Sequence, residues 1–180
     1  MLKKIWQTVI LIFFTLFISL FQFSFISALP GIFGQLNLGF FIMIFVLFFF
    51  GFKPAVLFLL IYGFSLDFLS FDFFGFYVIS FFLSALIAYL ILHNWLTNRS
   101  LYSFLGLILI STIFYNFFGA ILKYILGPES RTFFLIQSNF WISLVYQIIW
   151  SLIIAILFFN LAAGLTKKLK PFFLEKKQIV

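Results

Sequence analysis

Apolar runs long enough to cross a membrane follow one another along almost the whole chain, separated by short polar or Gly/Pro-containing breaks. The first run covers about 5–29, after the doublet Lys3-Lys4. A basic start before an apolar stretch resembles a secretory signal. This stretch exceeds the roughly 7–15 residues of a signal core, and bulky Ile26 spoils the small-residue site at Ser27-Ala28, so it reads as an uncleaved signal-anchor. Pro30-Gly31 then breaks the helix.

A short second run, 38–52, ends at Lys53-Pro54, where proline suits the first turn of the next helix because its missing N–H would be unpaired there anyway. The third and fourth runs, 54–70 and 73–92, are separated only by Ser70-Phe71-Asp72, which predicts an antiparallel helical hairpin. A polar segment over 93–99 leads to a fifth run, 101–125. A loop with Gly127-Pro128-Glu129-Ser130-Arg131 follows, then an interfacial piece over 132–136 and a sixth run, 138–164. A basic tail occupies 165–180.

The pattern predicts an all-α integral membrane protein, a compact bundle of about six transmembrane helices forming a single multi-pass domain. Composition agrees: hydrophobic residues make up 66% of the 180 positions and charged residues 8%, with a mean hydropathy of +1.28. A soluble domain of this size needs a polar exterior that such a composition cannot supply.

Charge placement adds orientation. Six spans put both termini on one side. A cytoplasmic assignment places Lys3, Lys4, Lys53, Arg99, Lys167, Lys168, Lys170, Lys176 and Lys177 inside, leaving Lys123 and Arg131 of the eleven cations outside. The net charge of +7 is therefore read as positive-inside topology, with the tail lysines held to anionic lipid, and not as nucleic-acid binding. The location predicted is a cell membrane crossed several times.

Charged groups within lipid cost roughly 2.5–3.5 kcal/mol at a helix centre, so each needs a reason. Asp67 lies within a turn of the outer end of the third span, and Gly63 and Ser70 share its helical face. Two readings stand: an interfacial carboxylate at a tight hairpin, or a buried polar contact for a partner helix or substrate. Asp72 is expected to cap the fourth helix. Asn139, Ser143, Gln147 and Ser151 recur every four residues, a polar stripe on the sixth helix; Asn116 adds a mid-span amide to the fifth. Internal packing or a partner interface would each use such a face. Ser80, Ser84 and Ala88 form a small-residue seam on the fourth helix.

Cysteine is absent, which removes disulfides, thiolate metal sites and cysteine nucleophiles. With one histidine (His93, placed in an interfacial loop) and four carboxylates, the residues supply no candidate catalytic set, metal site or cofactor-binding motif. The 34 phenylalanines read as compositional drift at lipid-facing positions that only need to be apolar.

The segment from Gly63 through Asp67, Leu69-Ser70 and Gly75 resembles the hallmark stretch of the bacterial rod-shape-determining MreD family: a glycine, aliphatics, an aspartate, a Leu-Ser pair, then a glycine opening the next helix. The break at Leu29-Pro30 and the order of spans are similar too, so the resemblance covers about 29–92 and is topological beyond it. Phe71-Asp72 departs from the small or turn-forming residues usual there, as in a divergent member. The resemblance implies a non-enzymatic membrane scaffold of the cell-elongation machinery for peptidoglycan synthesis. Its partners would be an MreC-like bitopic protein, MreB, RodA and a class B penicillin-binding protein. Gly63, Asp67, Ser70, Gly75, Asn139, Ser143 and Gln147 are the candidate partner or packing face.

The competing reading is the substrate-binding S component of an energy-coupling-factor vitamin transporter, also a six-helix bundle. Against it stand the poor small-residue pair Thr15 and Ser19 on the first helix, and outer loops without the polar cluster a vitamin would need.

Overall fold

The computed structural model describes residues 2–31, 33–70, 72–96, 100–126 and 138–165. Six α-helices run α1 (Leu2–Phe21), α2 (Leu38–Phe50), α3 (Phe52–Leu69), α4 (Phe76–Asn94), α5 (Leu101–Leu126) and α6 (Ser138–Leu165), with no strand among the described residues. Helix α1 continues into a π-helical turn, Gln22–Ile26, and a single 3-10 turn, Phe33–Gln35, precedes α2. The interfacial piece over 132–136, the loop over 127–131, Arg99 and the tail beyond 165 lie outside the described residues.

Among the described residues, four helices are long and apolar enough to cross a membrane: α3, α4, α5 and the stretch Phe140–Phe159 of α6. That is the property of a membrane-embedded helical protein. Helix α2 is different. Its 13 residues span about 20 Å at 1.5 Å each, against roughly 30 Å of hydrocarbon. It lies at the centre of the bundle, touching α1, α3, α4 and α5. Ile44, Leu47 and Phe48 are fully buried. Most of its side chains are buried, so this short helix packs inside its neighbours.

The α2 ends are set by backbone chemistry. Asn37 Oδ1 accepts from Phe40 N at 3.1 Å, capping the start. Gly51, with φ 93°, ends α2 and leads at once into α3, which therefore begins at Phe52 and not at Pro54 as expected. Helix α4 begins three residues later than predicted, at Phe76, and runs on through His93, which sits in its last turn instead of a loop.

The phenylalanines are not only lipid-facing, which corrects the drift reading. Phe13 and Phe68 are each 76% exposed, as lipid contact requires, but Phe40, Phe48, Phe58, Phe81 and Phe104 are buried. The Phe104 ring meets those of Phe41, Phe45, Phe48, Phe49 and Phe159, tying α5 to α2 and α6. Near the other end Tyr115 stacks between Phe40, at 4.8 Å, and Phe81, at 5.0 Å. Offset aromatic pairs add about 0.5–1.5 kcal/mol each beyond area burial, so these rings are structural.

Candidate functional site

The hairpin that carries the Gly63–Gly75 motif is built around one carboxylate. Asp67 is 4% exposed and reaches across the turn to the start of α4. Tyr77 N donates to Oδ1 at 2.8 Å and Val78 N donates to Oδ2 at 3.4 Å. Two amides that the helix itself cannot satisfy are thereby paired, and the positive end of the α4 dipole faces a carboxyl group. The cap of α4 is thus Asp67. The expectation for Asp72 is corrected: its carboxylate accepts from Tyr77 O–H at 3.4 Å and pairs with Lys123 Nζ at 3.1 Å. Lys123 Nζ also lies 4.8 Å over the Phe76 ring.

The two motif glycines serve the same junction. A Cβ at Gly63 would lie 3.0 Å from both Cα and Cγ2 of Val78, so α3 and α4 cross too closely there for a side chain. Gly75 holds φ 94° at the N-cap position, a left-handed conformation that brings α4 round to meet Asp67. Ser70 parts from this group. It closes α3 through its N–H to Leu66 O, while its buried Oγ has no hydrogen-bond partner among the described residues and faces a cavity.

That cavity, about 250 Å³, lies at the end of the bundle shared by Asn37, Ser70 and Tyr115. Leu66 and Ser70 of α3 and Tyr77 of α4 form one wall, and Gln22, Phe23 and Ser27 from the end of α1 form another. Gly34, Gln35, Leu36 and Asn37 bring in the segment before α2; Tyr115 and Asn116 come from α5, and Gln147 from α6. None of these lining residues is charged. Sequence reasoning looked for a polar cluster in the outer loops and found none, whereas helix ends from separate parts of the chain assemble one.

Four of the five amides in the wall, Gln22, Asn37, Asn116 and Gln147, are held by hydrogen bonds, and Gln35 is exposed at the rim. The π-helical turn places Gln22 so that its Nε2 donates to Leu36 O at 2.7 Å and its Oε1 accepts from Leu38 N at 3.0 Å, pinning the start of α2 to the end of α1. Asn37 Nδ2 donates to Tyr115 Oη at 3.4 Å. Asn116 Nδ2 donates both to Thr112 O, at 2.9 Å, and to Gln147 Oε1, at 2.7 Å.

The α6 stripe therefore turns inward at Gln147 and Ser151, which are 7% and 2% exposed, and Ser143 is half-buried. Asn139 lies in α6, but its side chain falls outside those described. The α4 seam of Ser80, Ser84 and Ala88 is buried throughout. Gln22, Asn37, Tyr77 and Tyr115 were missed as site residues. Asn37 directly before an apolar run is an N-cap signal, and Gln22 is a long amide in an apolar run; the tyrosines carried no signal among so many aromatics. No family model, curated protein or solved structure matches the chain.

Proposed function

We propose that this chain is a non-catalytic membrane component of a bacterial cell-elongation complex, similar to MreD, that scaffolds peptidoglycan synthesis through helix–helix contacts. One observation carries the reading. Gly63, Asp67 and Gly75, three of the positions on which the resemblance rests beside Leu69-Ser70, serve a single α3–α4 junction by close approach, capping and a left-handed turn. A motif whose residues fix one hairpin suits a protein that presents a defined surface to partners.

On this reading the chain crosses the inner membrane about six times with both ends in the cytoplasm, and α2 completes its crossing inside the bundle. Asp67, Asp72 and Lys123 gather at one end, which would be the outer one, while Lys53 starts α3 at the other. The partners are an MreC-like bitopic protein and, through it, MreB, RodA and a class B penicillin-binding protein. Depletion of the chain from its native rod-shaped host should round the cells, and wild-type chain should restore them. Unchanged rods after depletion would remove the proposal.

The cavity favours a second reading, the S component of a vitamin transporter. The first helix weighs against it: Thr15 and Ser19 are 0% and 1% exposed, and each hydroxyl bonds its own helix backbone. That face packs against the bundle and is not open to an ATPase-coupled partner.

A further inference from the structure

We infer that the cavity between the end of α1 and helices α3 to α6 is a binding site for a small uncharged molecule presenting a cis-amide or lactam edge, an N–H beside a carbonyl. Ligand binding goes beyond a scaffold role and does not depend on one.

Because Asn116 Nδ2 donates to Gln147 Oε1 at 2.7 Å, both amides are fixed in orientation. Asn116 Oδ1 and Gln147 Nε2 then hold no partner among the described residues. One is an acceptor and the other a donor, on two side chains joined to each other, and Gln147 is 7% exposed. An amide or lactam edge offers the complementary pair. The hydroxyl of Ser70 is buried and has no hydrogen-bond partner among the described residues. An occupant whose edge matches this donor and acceptor replaces water bonds with protein bonds of fixed direction.

The rest of the lining sets the class of molecule. No lining residue among those described could neutralise a charge, and a bare charge beside hydrocarbon is costly. Water alone would fill about 250 Å³ with roughly eight molecules at about 30 Å³ each. The wall is mostly polar, with Phe23, Leu36 and Leu66 adding apolar side chains, so it suits a small polar ring and not a large apolar body. The volume lies a little below the roughly 300–1,000 Å³ of ordinary ligand pockets, which limits the occupant to about the size of one substituted ring. Exposed Ser27 and Gln35 at the rim mark where the cavity opens at the end of the bundle.

The test uses the full chain in nanodiscs, titrated with nicotinamide, uracil and 2-pyridone as neutral amide probes. Nicotinate serves as the charged match of nicotinamide and toluene as an apolar control. At least one amide should bind saturably with Kd below about 1 mM, and nicotinate and toluene at least about tenfold more weakly. Gln147→Leu should weaken amide binding by about tenfold or more. Should that variant fail to fold, Ser70→Trp carries the test: Ser70 has no side-chain bond to lose, and the indole fills the cavity and should abolish binding. The inference is overturned if no amide saturates the site, which is then a water pocket. It is equally overturned if amides and controls bind alike, or if folded Ser70→Trp binds as wild type does. These failures leave the scaffold reading standing, because its test is cell shape and the residues that carry it, Gly63, Asp67 and Gly75, serve the α3–α4 junction.

Discussion

Asp67 and Tyr77 stand ten positions apart in sequence, yet the carboxylate of the first accepts the backbone N–H of the second at 2.8 Å across the α3–α4 turn. The helix that α4 forms is therefore started by a side chain of α3, and the hairpin is one cooperative unit. Removing the carboxylate strands the Tyr77 and Val78 amides in a buried place. Asp67→Ala should destabilise the purified chain by about 1–3 kcal/mol, and Asp67→Asn, which keeps one acceptor, by less. Thermal unfolding in nanodiscs reads the difference, and equal midpoints for all three proteins would contradict the capping role.

Gly63 tests the close crossing of the same two helices. Gly63→Ala places a methyl against Val78 Cα and Cγ2 and should cost about 1–3 kcal/mol through overpacking. Adding Val78→Ala removes the Cγ2 clash but leaves Cα, so it should relieve part of the strain and not all of it. Full additivity of the two changes would count against the contact.

How far the sequence disclosed this arrangement differs between elements. The helices α3 to α6 were legible within a few residues, because long apolar runs closed by glycine, proline or polar breaks have few alternatives. The candidate face was legible in part. Gly63, Asp67 and Gly75 were singled out, but which aspartate caps α4 turns on the path of the Ser70–Gly75 turn. Nearness to the helix start in sequence favoured Asp72. The left-handed Gly75 reverses that choice. The cavity was not legible, since its amides come from four distant parts of the chain and meet only through tertiary packing. The central place of α2 was hidden for the same reason: an apolar run reads alike whether lipid or protein surrounds it.

The amide pair between α5 and α6 should couple energetically. In a double-mutant cycle, Asn116→Leu and Gln147→Leu should show an interaction of about 0.6 kcal/mol, up to about 2. Simple additivity would mean that the 2.7 Å hydrogen bond stabilises nothing.

The Asp72–Lys123 pair should matter little. Its side chains are 29% and 37% exposed, and ion pairs so placed are worth about 0–1 kcal/mol. Asp72→Ala and Lys123→Ala should each shift unfolding slightly, with a coupling that shrinks as salt is raised. A large, salt-insensitive coupling would show the pair to be far better shielded than these exposures allow.

The most direct measurement of the scaffold claim is what the intact chain brings with it from its own membrane. Affinity-tagged at its native locus and extracted in mild detergent, it should co-purify with a bitopic MreC-like protein in near-equal amounts. Weaker recovery is expected from Gly63→Leu, which breaks the α3–α4 crossing. Recovery of the chain with transporter ATPases instead, or with no stoichiometric partner at all, would contradict the account.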